Sequence, residues 1–143
     1  MTEATPLSIR PLASCLAAEW HDLWQTLAPQ EDATGTRQQA DALFARLTAQ
    51  NGTDGGLIVQ LDGRPVGLAH YRIERGTDPL DSALHVTDLL LRPEASGKGA
   101  GAHLVAFLYM TAEAHRTPLV YWTSAATALR GGLQKTRSDR KAA

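Results

Sequence analysis

Apolar residues recur along the chain with two periods, and each change of period marks a new element. Leu7-Ser8-Ile9-Arg10-Pro11-Leu12 alternates apolar with polar positions, as a strand does; Pro11, which has no amide to donate, suits a strand edge or end. From Leu16 the spacing lengthens, and Leu16, Trp20, Leu23, Trp24 and Leu27 fall on one helical stripe. A polar, Gly-containing loop comes next. Thr36, with Gln39 three positions on, has the form of a capping box opening a second helix that carries Ala40, Leu43, Phe44 and Leu47. Asn51 to Gly56 has turn composition. Gly56 to Leu61 then reads as a strand, Asp62-Gly63 as a type I′ turn, and Val66 to Ile73 as the second strand of the hairpin. Ala83 to Leu91 is a third long β-run. After a glycine-rich stretch, Leu104, Val105, Leu108 and Ala112 trace another helical stripe, and Pro118 to Thr123 is a last strand. The order β-α-α-β-β-β-α-β, without repeats or a linker, predicts one α/β (α+β) domain in which helices flank a mixed sheet.

Composition narrows the function classes. A chain of 143 residues that is 43% hydrophobic supports one core and one domain. The formal net charge of −1 gives no global attraction to nucleic acid or to a membrane surface. That sum hides an asymmetry: Arg130, Lys135, Arg137, Arg140 and Lys141 face only Asp139 in the last stretch, so the body is acidic and the tail basic. An acidic body suits a cationic substrate, and an ordinary solvated surface accounts for it equally well. Cys15, the single cysteine, forms no internal disulfide, fits a reducing cytoplasm and reads as a packing residue. No apolar run approaches the roughly 20 residues of a membrane span, and the N-terminus lacks a signal-peptide pattern. The expectation is a cytoplasmic protein.

The candidate chemistry lies between the third long β-run and the helix after it. Gly97-Lys98-Gly99-Ala100-Gly101 joins a strand to a helix. In such a loop glycines let successive amides face one concavity, the helix N-terminus adds partial positive charge, and together they hold a pyrophosphate. Taken alone the motif is weak. It lacks the Gly-Lys-Ser/Thr of a Walker loop and the acidic residue that comes after a dinucleotide fingerprint, and a bland glycine-rich turn is the competing reading.

The wider stretch from Asp88-Leu89-Leu90-Leu91-Arg92-Pro93 to Gly97-Lys98-Gly99-Ala100-Gly101 resembles the acetyl-CoA signature of the GNAT N-acetyltransferases. The likeness covers about residues 7–123: EWHDLWQTL resembles that family's first helix, GLIVQLDGRPVGLAHYRIER its central hairpin and PLVYW its fifth strand. It points to the branch with the histone, polyamine and diamine enzymes. The resemblance implies a mostly antiparallel sheet whose fourth and fifth strands splay apart, with the pantetheine arm of acetyl-CoA lying between them as an added strand. On that basis Leu89 and Leu91 meet the arm, and an amide near Leu90 or Leu91 polarises the thioester carbonyl. Ser96, Gly97, Lys98, Gly99, Ala100, Gly101 and Ala102 cradle the pyrophosphate. A neutral primary amine of a small molecule or peptide attacks directly, and the enzyme positions it and takes a proton. Candidates for that proton are Asp88, His70, Glu74 and His85. Asp88 matches a family acidic position, and serves either as base or as a carboxylate that binds backbone or a substrate ammonium. His70 either faces the cleft or is packed, the commoner fate of a lone strand histidine. Trp20, Trp24 and Trp122 read as core. Dimers are frequent in this branch, which leaves a homodimer open.

Two departures qualify the resemblance. Ser96 stands where the family usually has Arg or Gln, so weaker coenzyme A binding is expected, with Lys98 compensating in part. The family's next helix carries a tyrosine that protonates the departing thiolate; here Ala126 to Arg130 begins such a helix, but Gly131 to Lys141 has no tyrosine, no apolar period and no strand. Residues 1–130 therefore read as the acetyltransferase domain and 131–143 as an aberrant basic tail. This leaves a second reading, a fold that binds coenzyme A without efficient transfer. Codons for Leu133 to Asp139 read one nucleotide later allow Tyr, two basic residues, Leu and Gly, which suggests a one-base insertion near Gly131-Gly132; a naturally divergent tail is the alternative. Sequencing the coding DNA decides between them: codons unable to give Tyr and Leu-Gly in the shifted frame end the insertion hypothesis.

Overall fold

The computed structural model describes residues 7–28, 37–95 and 97–122. The alternating segments become β1 (Leu7–Pro11), β2 (Asp54–Leu61), β3 (Arg64–Glu74), β4 (Ala83–Leu91) and β5 (Leu119–Trp122), and the helical stripes become α1 (Ala17–Leu27), α2 (Arg37–Leu47) and α3 (Ala100–Ala114). The strands form one sheet in chain order. β1 to β4 pair antiparallel, and β4 pairs parallel with β5, the arrangement a helical crossover through α3 permits. The mixed, mostly antiparallel sheet expected from the sequence is present.

Sequence and structure differ locally at Asn51 to Gly56. Asp54 and Gly55 are strand, opposite Arg72 and Tyr71. The turn is confined to the residues before them, where Asn51 Oδ1 accepts the amides of Thr53 at 3.0 Å and Asp54 at 3.2 Å. Long β3 supplies a pairing edge that overrides the low strand propensity of Asp and Gly. Gly55 also leaves room for the Tyr71 hydroxyl, which a Cβ there would overlap. The Asp62-Gly63 turn has positive φ at both residues, 58° and 82°, as a type I′ turn requires.

Alternation along the strands divides the core in two. On one face α3 lays Leu104, Leu108 and Ala112 over Leu57, Val59, Ala69, Leu84, Val86 and Leu89. On the other, Trp20 and Leu23 of α1 and Leu47 of α2 cover Leu12, Ile58 and Leu68. Val105 is half-buried against the first layer, and Ala40, Leu43 and Phe44 against the second. Glu19 fastens the start of α1 by accepting from the Leu16 amide at 3.2 Å and from Arg10 at 3.1 Å.

β4 departs from a regular paired strand at Thr87. Tyr71 pairs with Val86 and His70 with Asp88, so Thr87 is an extra residue, a β-bulge. Pairing with β5 runs, among the described residues, as far as Val86 opposite Trp122, the last residue described on β5, while β4 continues to Leu91. Among the described residues, no strand lies against Thr87 to Leu91 on that side. Thr36, Ser96, Thr123, the expected helix start at Ala126 to Arg130 and the tail 131–143 lie outside the described residues. None of the described helices is long and apolar enough to cross a membrane.

At Gly67 β3 lies close against β4. A Cβ there would lie 2.9 Å from the Leu90 carbonyl oxygen and 3.0 Å from Val59 Cγ1. Gly67→Ala should therefore destabilise the fold by about 1–3 kcal/mol, the usual cost of overpacking. Urea unfolding with an unchanged m-value checks this; an unchanged midpoint would contradict so tight a contact.

Candidate active site

The bulge at Thr87 brings Asp88 to the same face of the sheet as His70, its partner across the strands. His70 Nδ1 lies 3.0 Å from Asp88 Oδ2, and the Trp20 indole N–H donates to His70 Nε2 at 2.9 Å. An indole nitrogen only donates, so Nε2 is the acceptor and Nδ1 carries the hydrogen. His70 is thereby assigned as the neutral Nδ1–H tautomer, donating to the carboxylate. Its ring is 1% exposed and boxed by Trp20 and Trp24, with centroids 5.9 and 5.3 Å away. The Thr87 hydroxyl lies 3.3 Å from Asp88 Oδ2 and 3.3 Å from the His70 carbonyl. Asp88 is thus gripped through Oδ2; among the described residues no hydrogen-bond partner meets Oδ1. Of the two residues singled out for proton transfer, His70 is enclosed with both ring nitrogens engaged, and Asp88 lines an open cleft.

That cleft, of about 240 Å³, is walled by Trp24, Leu43 and Leu47 on the helix side and floored by His70, Thr87 and Asp88. Arg46, Asp54 and Arg72 border it. Trp24, read from the sequence as core, is a half-buried wall of the cleft, and Trp20 is buried yet bonds directly to the site. Neither role shows in helical periodicity, which records that a side chain is covered and not what its N–H meets.

Glu74 and His85, the other candidates, form a separate cluster toward β5. His85 Nδ1 lies 3.2 Å from Glu74 Oε2, Tyr121 donates its hydroxyl to Glu74 Oε1, and the His85 and Tyr121 rings stack with centroids 4.4 Å apart. Burial, and then the Glu74 carboxylate beside it, push the Tyr121 phenol up to about 12.

The glycine loop supplies a different surface. Gly97 and Gly99 have φ of 77° and 84°, left-handed values that side chains rarely adopt. A Cβ at Gly97 would meet nothing within 4 Å, and at Gly99 nothing nearer than 3.8 Å. Backbone conformation, and not crowding by the protein, calls for glycine at both, and open space lies above them. Gly99 is the N-cap of α3, and among the described residues no side chain caps that end. The first amides of the helix, at Ala100, Gly101 and Ala102, are therefore left for an external acceptor. Gly97, Lys98, Gly99 and Ala102 are exposed; Ala100 is buried; Gly101 lets α3 approach Leu91, whose Cδ1 would be 3.1 Å from a Cβ. Further back, the Arg92 amide donates to the Val66 carbonyl at 2.7 Å. Amides alternate direction along a strand, so those of Leu89 and Leu91 point away from β3 and that of Leu90 toward it. Leu90 packs its side chain against the α1 layer. Arg92 pins this end of β4 to α1, its Nη2 lying 2.7 Å from Asp22 Oδ2.

Comparison with known proteins bears on family and fold. A family model described as the acetyltransferase (GNAT) family matches residues 18–130. A curated D-amino-acid N-acetyltransferase of Saccharomyces cerevisiae is 29% identical over 114 residues, 73% of this chain; the match spans 66% of that relative's length, just under two thirds. Among solved structures, an aminoglycoside N-acetyltransferase in complex with CoA superposes with a TM-score of 0.76 at 14% identity, covering 95% of this chain and 93% of that one. A glucosamine-6-phosphate N-acetyltransferase from Arabidopsis thaliana does so with a TM-score of 0.67 at 16% identity, covering 92% and 93%. At such identities the structural likeness is one of fold.

The Tyr121–Glu74 contact has a titration signature. With its pKa raised above the ordinary 10, the phenol contributes stability that is fully present below pH 10 and is lost as pH rises through about 12. Difference spectra against Tyr121→Phe should show phenolate forming near 12, and Glu74→Gln should lower that midpoint without restoring 10. A midpoint at 10 in the unaltered chain would contradict the contact.

Proposed function

The chain belongs to the acetyltransferase (GNAT) family, and on that premise we propose that it transfers an acetyl group from acetyl-CoA to a primary amine by direct attack. The carrying observation is the course of β4: among the described residues no strand pairs with it beyond Val86, and it leads from Asp88 to a glycine loop whose helix end no described side chain caps. The curated relative is named for an amino acid acceptor and the structural neighbour for an aminoglycoside.

Acetyl-CoA, when bound, supplies an activated thioester; the amine nitrogen forms the new C–N bond as the C–S bond breaks and the sulfur departs as thiolate. The residues of this chain hold and orient. The Leu89 and Leu91 amides offer main-chain donors along the pantetheine path, and the Leu91 amide is placed to polarise the carbonyl. Gly97 to Ala102 present amides and the positive end of α3 to the pyrophosphate, with Lys98 as a point charge. Ser96 completes that stretch. Asp88, through Oδ1, accepts the proton released by the attacking nitrogen, directly or through one water. His70 acts through Asp88: its Nδ1–H fixes the orientation of the carboxylate, which makes it a positioning residue.

A second reading, coenzyme A binding without efficient transfer, is favoured by one observation. Tyr121, the last tyrosine in the sequence, gives its hydroxyl to Glu74, and so is not held ready for a departing thiolate.

Acetyl-CoA should raise the melting temperature in proportion to RT ln(1 + [L]/Kd), with ATP and NAD far weaker. Gly99→Val should abolish that rise. Asp88→Asn should keep it and lower kcat about 10²–10⁴-fold in a thiol-release assay across an amine panel. A shift with acetyl-CoA and no thiol release from any amine would favour the second reading; a shift with NAD and none with acetyl-CoA would refute both.

A further inference from the structure

The cleft beside Asp88 is charged at two ends, and the arrangement selects among amines. Arg72 Nε donates to Asp54 Oδ1 at 3.3 Å, and Arg46 Nε lies 3.9 Å from the same oxygen. One carboxylate, 12% exposed, therefore gathers two guanidiniums that are each about half exposed. Among the described residues neither arginine has another carboxylate partner within ion-pair distance. Each approaches Asp54 through Nε, and a guanidinium has five N–H donors, so the Nη groups remain for something else. Counting Asp54, this end of the cleft keeps one positive charge. The opposite end keeps one negative charge, because Asp88 is partnered by a neutral histidine and a hydroxyl.

The two ends are close. Arg72 lies two residues along β3 from His70, which is paired with Asp88, a backbone rise of about 6.6 Å. The intervening wall, Trp24, Leu43 and Leu47, is apolar, and the volume of about 240 Å³ falls below the ~300–1,000 Å³ of pockets for drug-sized ligands. We infer that the acceptor is a small amine that also bears a carboxylate, an amino acid or close analogue, with its nitrogen at Asp88 and its carboxylate on Arg46 and Arg72. This rests on the transfer proposed above and deepens it. A carboxylate matches the forked donors of a guanidinium. A polyamine would bring a second ammonium against the arginines, and a simple alkylamine would leave their donors unmatched.

The test compares leucine with 3-methylbutylamine, which differs from it only in lacking the carboxylate, and with spermidine. All are assayed as acceptors with saturating acetyl-CoA. Leucine should have the highest kcat/KM, by about 10-fold or more over 3-methylbutylamine. In Arg72→Gln the ratio of leucine to 3-methylbutylamine kcat/KM should fall by about 10- to 100-fold, mainly through KM for leucine. Arg46→Gln, on the exposed side of α2, should lower the same ratio and guards against a folding defect in the first variant. Preference for spermidine or 3-methylbutylamine, or a ratio unchanged in both variants, would overturn the inference while leaving acetyl transfer intact. Should no amine release thiol, transfer itself fails, and calorimetry on the coenzyme-A-loaded protein decides the rest: leucine binding in preference to 3-methylbutylamine upholds the charged ends, and equal or absent binding overturns them.

Discussion

The extra residue at Thr87 sets the arrangement of the site. Without it, the alternation that buries Leu84 and Val86 under α3 would send Asp88 to that same apolar layer and turn Leu89 away from it. With it, Leu89 rejoins the α3 layer and Asp88 emerges opposite His70 on the face covered by α1 and α2. A bulge also adds local twist and disrupts pairing. Farther along β4 the Leu89 and Leu91 amides point away from β3. One inserted residue thus accounts for the carboxylate in the cleft.

A buried histidine makes that carboxylate dependable. Enclosing an imidazole at 1% exposure costs free energy unless both ring nitrogens find partners, and here the Trp20 N–H and Asp88 supply them. The donor-only indole fixes the tautomer, the tautomer fixes which ring nitrogen meets Asp88, and packing between Trp20 and Trp24 fixes the ring plane. The glycine loop works by opposite means. Its positive-φ glycines leave space empty, and no described side chain caps the helix end, the features on which the proposed pyrophosphate contact rests.

Much of this is legible in the sequence. The order of elements, the Asp62-Gly63 turn and the α3 stripe come from periodicity and turn chemistry, because each is a local property. The bulge leaves only a slight trace, the consecutive polar residues Thr87 and Asp88, where strict alternation would place one apolar. The Trp20–His70 bond and the Arg46–Asp54–Arg72 group are not legible. Each joins residues far apart in sequence, and Asp54 in particular has the composition of a turn until β3 provides its partner. Trp20 and Trp24 read as core for a related reason: a covered position has the same period whether it faces leucine or a cleft.

The claim that most of the site depends on is that His70 is the neutral Nδ1–H tautomer linking Trp20 to Asp88. Long-range ¹⁵N–¹H correlation of the imidazole measures this directly. The account predicts a protonated, pyrrole-type Nδ1, an unprotonated Nε2 and a hydrogen-bonded Trp20 indole proton, with the pattern disturbed in Asp88→Asn. A His70 that carries its proton on Nε2 would contradict the assigned hydrogen bonds, and with them the role of Asp88 as an oriented acceptor.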